Sequence, residues 1–313
     1  MKPVKDVHST AVVGNGLMGQ GISQVLARSG KTVSLIGRSP ESLNRAMEAI
    51  RGNFQAFVDR KHTSRDEAEA AISRISTTTD YDAAAEADVV VEAVPAKRDL
   101  QIEVFGRLDR ICAPDVVLAS TSGQPISLMV DDMQHPERAV AAHFIYPAQL
   151  MPLVEVCGGE KTTPETVDWT CRLLESVGQT AALMDKEVDG FIVNRLQFAI
   201  IREAWSMWAS GIASAEAIDA SMRLTLGRRY SVTGPIESAE LGGLDIIHTF
   251  AEFLFPDLDN ITEPPEAVTA LVRDGHFGLK TGRGIYDWSK RDGAALLAKR
   301  ADRLFQHLAE DAR

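Results

Sequence analysis

The chain has 313 residues, of which 45% are hydrophobic and 25% charged, as is typical of a globular protein with about two domains. The formal net charge of −11 gives no support for nucleic acid or an anionic membrane as a partner. The three cysteines lack C-x-x-C spacing, which indicates reduced thiols and no metal site. Residues 1–10 have no apolar signal-peptide core, and no apolar run approaches the ~20 residues of a membrane span. We therefore expect a cytoplasmic protein.

Short β-branched runs alternate with helical patterns in the first half of the chain. Because the runs are almost continuously apolar, they are typical of strands buried on both faces of a parallel sheet. The candidate strands are residues 10–14, 31–37, 87–94, 115–120, 138–144 and 153–156. Gly30 is a stop signal for the first helix, and the Ser39-Pro40-Glu41 run is a start signal for the second. The alternation predicts a Rossmann-type, doubly wound α/β domain over residues 1–186.

After about residue 187 the strand signals nearly vanish, and long helical patterns take their place. Residues 190–211 and 214–227 each have the pattern of a helix, and further helical patterns run through 235–275. Trp205 and Trp208 make the first of these helices strongly apolar, which fits either the core of a domain or a dimer interface. We expect an all-helical second domain over residues 187–313.

A glycine-rich turn, VVGNGLMGQGIS at residues 12–23, joins the first predicted strand to the first predicted helix. It fits G-x-G-x-x-G, in which the first glycine permits a tight turn, the second lets the backbone approach a pyrophosphate, and the third lets helix and strand pack closely. The helix N-terminus then offers N–H groups and partial positive charge to the phosphates. The predicted cofactor-binding residues here are Gly14, Asn15, Gly16, Leu17, Met18 and Gly19.

The position expected to hold the adenosine ribose, at the end of the second predicted strand, is not acidic. It is occupied by Gly37, and Arg38 and Ser39 follow. A carboxylate there would bond the ribose 2′-hydroxyl and repel a 2′-phosphate, whereas arginine and serine can hold a phosphate. We predict NAD(H) or NADP(H) as the cofactor, with a preference for NADP(H) and with Arg38 at the 2′-phosphate. The alternative is that Arg38 lies over the adenine ring of NAD.

His143 and Glu155 lie on consecutive predicted strands that are joined by YPAQLMP. A histidine exchanges protons near neutral pH, and a neighbouring carboxylate would fix its tautomer and stabilise its charged form. Removal of hydride from a secondary alcohol requires such a base for the hydroxyl proton. The pair therefore favours a dehydrogenase site, and the alternative is a structural histidine at the end of a strand.

Six motifs follow one another along the chain: VVGNGLMGQGIS, VVEAVPAKRDLQIEVFGRLD, LASTSGQPI, HFIYPAQLMPLVEV, DGFIVNRLQFAIIREA and FGLKTGRGIYDW. In this order they resemble the 3-hydroxyacyl-CoA dehydrogenase family, over about residues 8–288. The C-terminal motifs look most like the branch that contains lambda-crystallin and L-gulonate 3-dehydrogenase. The STSGQPI segment is also similar to a branch that acts on a pyridine carboxylate.

The resemblance implies a role for individual residues and an assembly. His143 matches the catalytic base and Glu155 the acid that orients it. Ser122 and Asn194 match residues that bond the substrate oxygen. Lys280, in FGLKTGRGIYDW, is assigned to cofactor binding on the same ground. The family also implies a homodimer built through the helical domain.

The chain departs from the family pattern at several positions around the expected site. Tyr146 stands where the family usually has asparagine, Ala96 where it has glutamate, and Gln101 where many members have lysine. The CoA-contacting basic run is matched only loosely by residues 59–64, with His62 in place of its second lysine. Dinucleotide binding is still expected, whereas the resemblance leaves CoA binding open.

Three functions remain after this comparison. We expect an NAD(P)-dependent oxidoreductase that transfers hydride between the nicotinamide and the 3-hydroxy group of a 3-hydroxyacyl-CoA, a small-molecule substrate. The first alternative is a dehydrogenase of a free hydroxy acid, L-gulonate-like or a ring carboxylate. The second is a cofactor-binding protein without turnover, against which the four matched site residues argue.

Overall fold

The computed structural model describes residues 1–311, and the chain forms two compact units. One unit contains Met1–Ile192 and the chain from Arg300 onward, and the other contains Val193–Lys299. The chain therefore leaves the first unit once and returns to it near the C-terminus. The expected division between residues 186 and 187 stays a prediction. Within residues 1–311, no helix combines the length and the apolar character needed to cross a bilayer.

The first unit is built on one sheet of eight strands, most of them parallel. They are β1 Ser9–Val13, β2 Thr32–Ile36, β3 Ile75–Thr78, β4 Val89–Glu92, β5 Val117–Ser120, β6 Ala139–Phe144, β7 Leu153–Cys157 and β8 Thr180–Met184. Their order is β3-β2-β1-β4-β5-β6-β7-β8. The order changes direction between β1 and β4, and in such sheets ligands bind at that point, outside the carboxyl ends of the strands.

Helices cover both faces of this sheet. They are α1 Leu17–Arg28, α2 Pro40–Asp59, α3 Arg65–Ser73, α4 Arg98–Ile111 and α5 Pro164–Ser176. Successive residues of β1 enter opposite cores, since Val12 belongs to one buried cluster and Ala11 and Val13 belong to the other. The Rossmann-type fold expected from the alternating pattern is confirmed.

Two of the eight strands, β3 and β8, were not expected from the sequence. They lie at the two edges of the sheet, where Ile75 is the one buried residue of β3 and every residue of β8 is half-buried or exposed. An edge strand is covered less than a central one, so it lacks the continuous apolar run that identifies the others. The sheet departs from a purely parallel arrangement between β6 and β7, which run antiparallel to each other.

The second unit is helical, as expected. Its helices are α6 Phe191–Ala209, which begins at the end of the first unit, then α7 Ala215–Ser221, α8 Gly227–Arg229, α9 Pro235–Gly242, α10 Leu244–Leu254 and α11 Glu266–Arg273. A π-helical turn, Met222–Leu226, joins α7 to α8. Among the described residues of this unit, Val268 is the one buried hydrophobic side chain.

The C-terminal helix, α12 Gly293–Asp311, ends in the first unit. There Phe305 forms a small buried cluster with Phe57 and Leu150. The rings of Phe57 and Phe305 meet edge to face, with centroids 4.9 Å apart. Arg60 also forms an ion pair with Asp302 at 2.7 Å. These contacts attach the end of the chain to α2.

Candidate active site

The glycine turn between β1 and α1 has the tight geometry that its sequence predicts. Gly14 has φ +112°, and a Cβ atom there would collide with the carbonyl oxygen of Ala93. A Cβ atom at Gly19 would collide with the carbonyl oxygen of Gly14, so this glycine brings the helix against the turn. A Cβ atom at Gly16 would meet no protein atom within 4 Å. The open space beside Gly16 is where a phosphate group can approach the backbone.

A cavity of about 980 Å³ lies beside this turn, outside the carboxyl ends of β1, β2 and β4. The predicted cofactor residues that line it are Gly14, Asn15, Gly16, Leu17, Met18 and Arg38. Gly19 is buried behind the turn, next to Val12. The opposite wall includes Tyr81, whose ring carries the Arg107 guanidinium 4.1 Å from its centroid. Contact of these residues with a cofactor stays a prediction.

The end of β2 forms a polar corner of the same cavity. Asn15 Nδ2 donates to Ser42 Oγ at 2.9 Å, and the Ser42 N–H donates to Ser39 Oγ at 3.2 Å. Ser39 thus caps α2, as the Ser39-Pro40 signal indicates. Arg38 is exposed at the start of this corner, and Arg45 lies one helical turn along α2 from Ser42. Two guanidinium groups, those of Arg38 and Arg45, therefore border this corner of the cavity.

His143 and Glu155 are paired residues in the antiparallel ladder of β6 and β7. The Nδ1 atom of His143 lies 2.7 Å from Oε2 of Glu155. The Glu155 side chain is fully buried, and His143 is 8% exposed. A carboxylate at Nδ1 holds the proton on that nitrogen, so the lone pair of the imidazole lies on Nε2. The arrangement leaves Nε2 as the atom that accepts a proton.

The first turn of α6 completes the environment of this pair. The Ile192 N–H donates to Glu155 Oε1 at 2.8 Å, so the carboxylate is held from two sides. Phe191 is fully buried, and its ring meets the His143 ring edge to face, with centroids 5.5 Å apart. Its φ of 48° is in the left-handed region, where a non-glycine residue is uncommon. A buried residue with an uncommon backbone conformation therefore packs against the imidazole.

Ser122 follows β5, at the carboxyl edge of the sheet. It is buried, its N–H donates to Ser120 Oγ at 3.1 Å, and its own Oγ accepts the Gln124 N–H at 3.3 Å. Because Oγ acts as the acceptor in that bond, the hydroxyl hydrogen remains for a second partner. The Phe144 N–H donates to Thr121 Oγ1 at 3.2 Å, which ties this segment to the end of β6, one residue after His143.

The two remaining predicted site residues belong to the second unit. Asn194 lies in the first turn of α6 and is half-buried. Lys280 is exposed in the 3₁₀ turn Leu279–Thr281. Their roles toward substrate and cofactor stay predictions.

Phe191 and Glu92 are two residues of this region that the sequence did not predict. The amino-acid sequence does not distinguish Phe191 from an ordinary core residue, since its contact with His143 depends on its backbone conformation. Glu92 did leave a signal, because it is a carboxylate that ends an otherwise apolar strand. It is 1% exposed, and burial raises the pKa of its carboxyl group to about 7, against the lowering effect of hydrogen bonds from Ser120, Val94 and Gln101.

Both units correspond to known domains. The model of the 3-hydroxyacyl-CoA dehydrogenase NAD-binding domain matches residues 9–188, and the model of the C-terminal domain matches residues 190–288. The chain belongs to the 3-hydroxyacyl-CoA dehydrogenase family. It is therefore a dehydrogenase that acts on a hydroxyl group and has an NAD-binding domain. The resemblance stated from the six motifs is confirmed.

Individual relatives of this dehydrogenase have different names. A probable 3-hydroxybutyryl-CoA dehydrogenase of Bacillus subtilis is 32% identical over 288 residues, which are 91% of this chain and 99% of the relative. Lambda-crystallin of Oryctolagus cuniculus is 34% identical over 267 residues, 83% of this chain and 84% of the relative. The crystal structure of a 5-formyl-3-hydroxy-2-methylpyridine 4-carboxylic acid 5-dehydrogenase, described as an NAD+-dependent dismutase, has TM-score 0.87 and 30% identity, with 95% of this chain and 96% of that chain covered.

Proposed function

We propose that this dehydrogenase interconverts a 3-hydroxy group and a 3-keto group, with His143 as the base. The observation that carries the proposal is the buried His143–Glu155 pair, with Nδ1 and Oε2 2.7 Å apart. The glycine turn beside a cavity of about 980 Å³ is the second observation that supports the proposal. A 3-hydroxyacyl-CoA thioester is the principal substrate in this proposal.

The residues present fit a nicotinamide dinucleotide. The open space at Gly16, beside two glycines whose Cβ atoms would collide with backbone, forms a cradle for a pyrophosphate. When bound there, the oxidised nicotinamide supplies a hydride acceptor. Nε2 of His143 takes the hydroxyl proton of the alcohol, and the C–O bond becomes a carbonyl. In the reverse direction the imidazolium of His143 returns that proton to the oxygen.

Three side chains support this proton transfer. Glu155 stabilises the imidazolium and preserves the tautomer that leaves Nε2 basic. Ser122 and Asn194 bond the carbinol oxygen and steady the negative charge that develops on it. The free hydroxyl hydrogen of Ser122 is consistent with this donation, because Oγ already accepts the Gln124 N–H.

NADP(H) is the preferred cofactor in this proposal. A Cβ atom at Gly37 would lie 2.7 Å from Leu43 Cδ2 and 2.9 Å from Asn15 Cγ, so an acidic side chain does not fit without displacing both. Arg38 and Arg45 border the same corner and can pair with a 2′-phosphate. NAD(H), with Arg38 over the adenine, is the alternative.

A free hydroxy acid is a second substrate candidate, and the segment over residues 59–64 favours it. Arg60 pairs with Asp302, and the His62 ring lies 5.1 Å from the Phe305 ring, centroid to centroid. Burial and the neighbouring Arg28 and Arg60 guanidinium groups lower the pKa of His62. Two basic side chains of this segment thus already contact residues of α12, whereas a CoA phosphate requires free cations.

A homodimer formed through the second unit belongs to the same proposal. Large apolar side chains of α10 are exposed, including Phe250 at 55% and Phe253 at 61%. Val268 is the one hydrophobic side chain of this unit that is buried in the part of the chain described. A helical unit with so little core is expected to cover its apolar faces with a second copy.

A titration with NADH and NADPH tests the proposal. Oxidation of each is followed at the reduced-nicotinamide absorbance with acetoacetyl-CoA, and L-gulonate with the oxidised cofactors tests the free-acid alternative. Turnover of acetoacetyl-CoA supports the principal substrate, and turnover of the free acid alone supports the second. Cofactor binding without turnover of any 3-hydroxy or 3-keto compound contradicts the proposed function.

A further inference from the structure

Glu92 lies at the carboxyl end of β4, and its buried carboxyl group has only uncharged partners in the described part of the chain. Ser120 Oγ donates to Oε2 at 2.7 Å and Gln101 Nε2 donates at 3.3 Å, while the Val94 N–H donates to Oε1 at 2.6 Å. A buried carboxyl group without a cation beside it is unfavourable for folding. Apolar side chains precede it along the whole of β4. Its presence is best explained by what it holds in place.

The Ser120–Ser122 segment is what Glu92 holds. The Ser120 hydroxyl gives its hydrogen to Glu92, so its oxygen is turned to accept the Ser122 N–H at 3.1 Å. The backbone oxygen of Glu92 also accepts the Thr121 N–H at 2.9 Å. The side chain of Glu92 therefore bonds to Ser120 and its backbone to Thr121, the two residues directly before Ser122.

This loop is also tied to the strand that carries the base. Thr121 Oγ1 accepts the Phe144 N–H at 3.2 Å, directly after His143. Glu92 is 1% exposed and Ser120 is fully buried, so neither side chain contacts the space around the substrate. The order of contacts is Glu92, then Ser120, then Ser122, and only the last has a hydroxyl hydrogen free for a ligand.

We propose that Glu92 is a positioning residue that orients the substrate-binding hydroxyl of Ser122 through Ser120. The inference rests on the role of Ser122 in the proposed function. It deepens that function, because it assigns part of the substrate site to a side chain that never touches the substrate. Ser122 is in contact with the reacting oxygen, and Glu92 determines the direction from which Ser122 donates.

A double-mutant cycle between Glu92 and Ser122 tests the inference. The full-length enzyme carries Ser122→Ala, Glu92→Gln or both, and kcat/KM for the keto substrate is measured at saturating reduced cofactor. Loss of one donor to a developing oxyanion lowers the rate by about 10²-fold. We expect Glu92→Gln to lower kcat/KM by about tenfold on its own and to have no further effect once Ser122 is alanine, since contacting residues are coupled.

Ser120→Ala is the second variant, and it removes the intermediate hydroxyl while leaving Val94 bonded to Glu92. It is expected to reproduce the effect of Glu92→Gln on kcat/KM and to leave the dissociation constant of the reduced cofactor within about twofold, because Ser120 does not line the cofactor cavity. The matched control is Glu103→Gln, an exposed glutamate of α4, whose effect is expected to be small and additive. Near-ultraviolet circular dichroism verifies that each variant keeps native packing.

The outcomes separate the inference from the function on which it rests. Independent, additive effects of Glu92→Gln and Ser122→Ala overturn the positioning role and leave the proposed function intact. Unchanged kcat/KM in Ser120→Ala does the same. If Ser122→Ala itself has no effect, the assignment of Ser122 in the proposed function fails, and the inference fails with it.

Discussion

His143 and Glu155 face each other directly across the antiparallel pair β6–β7, with Nδ1 2.7 Å from Oε2. The side-chain period of a strand is two, so a shift of one residue in this register would turn one of the two to the opposite face of the sheet. The packing of Val154 and Val156, which lie either side of Glu155 and are both fully buried, fixes that register. The same register therefore buries the core valines and brings the proposed catalytic pair together.

Glu155→Gln should lower kcat by about 10²-fold or more, because the amide no longer balances the charge of the imidazolium. The dissociation constant of the cofactor should be almost unchanged, since Glu155 does not line the cofactor cavity. Steady-state kinetics and a fluorescence titration of the reduced cofactor measure the two quantities. Glu137→Gln, in the exposed pair with His135, is the control. A kcat equal to that of the wild type in Glu155→Gln would refute the role of the pair.

Arg38→Ala should weaken binding of NADPH by about tenfold or more and leave NADH within about twofold, because a charge-assisted bond to the 2′-phosphate is lost. The comparison requires dissociation constants of both cofactors for both proteins. Arg51→Ala is the control, since Arg51 is an exposed arginine of α2 outside the cavity lining. If the variant binds NADH and NADPH more weakly by the same factor, Arg38 instead lies over the adenine ring.

Asp109→Asn should reduce the free energy of unfolding by about 3–5 kcal/mol, because it leaves the buried Arg138 guanidinium without its partner. Arg138 donates to Asp109 Oδ1 from Nη2 at 2.7 Å and from Nε at 3.2 Å. These bonds, and those from the backbone of residues 134 and 135, hold the pKa of Asp109 below its ordinary 3.8 despite burial. The contribution of the Asp109 carboxylate to the free energy of unfolding is therefore present above pH ~4, and it is lost as the pH falls further.

Urea unfolding at pH 7 and pH 3 measures this difference. The difference in the free energy of unfolding between wild type and Asp109→Asn should be large at pH 7 and smaller at pH 3. Asp131→Asn, whose exposed side chain lies 4.0 Å from Arg98, is the control and should change stability by less than about 1 kcal/mol. Similar losses in both variants would mean that burial of the Asp109–Arg138 pair has no special importance.

Glu92→Gln should make stability less dependent on pH. The pKa of Glu92 is raised from 4.5 to about 7, which means that the folded protein favours the protonated carboxyl group. The stability that this preference contributes is complete below pH 4.5 and is lost as the pH rises through about 7. The rise corresponds to about 3 kcal/mol, at about 1.4 kcal/mol for each tenfold change in proton affinity. Urea unfolding of both proteins at pH 5 and pH 8 is the measurement. A variant that loses as much stability as wild type over this range would contradict the raised pKa.

Phe253→Glu should convert the proposed dimer to a monomer or lower its association constant by orders of magnitude, because a charge replaces an apolar contact in the proposed interface. Light scattering coupled to size-exclusion chromatography gives the mass. Leu183→Glu is the control, since Leu183 is a 59% exposed apolar residue on β8 of the first unit. Monomeric wild-type protein would end the proposal.

Much of the site could be predicted because its chemistry has a local signature. The glycine turn is a contiguous pattern, and His143 and Glu155 each end or occupy an apolar strand, so strand pairing brings them together. The role of Glu92 could not be predicted, because its partners Ser120 and Gln101 belong to β5 and α4, and only the folded structure brings them together. The contact of Phe191 could not be predicted either, because no sequence pattern indicates a left-handed φ at a phenylalanine.

The fold was predictable for the central strands and less so at the edges. The runs that became β1, β2, β4, β5, β6 and β7 are nearly all apolar because they are covered on both sides. The return of α12 to the first unit depends on contacts between Phe305 and Phe57, nearly 250 positions apart along the chain, and local patterns carry no information about such pairs.

That return has a consequence for how the protein is made. Phe305 and Asp302 contact α2 and the residue that follows it, in the unit that carries the glycine turn, and both residues are translated after the whole of the second unit. Domains fold as units while the chain emerges from the ribosome. The cofactor-binding unit therefore acquires its last stabilising contacts only after the helical unit has been synthesised. A stalled or truncated translation product carries every glycine of the turn, yet it presents α2 with an uncovered aromatic surface.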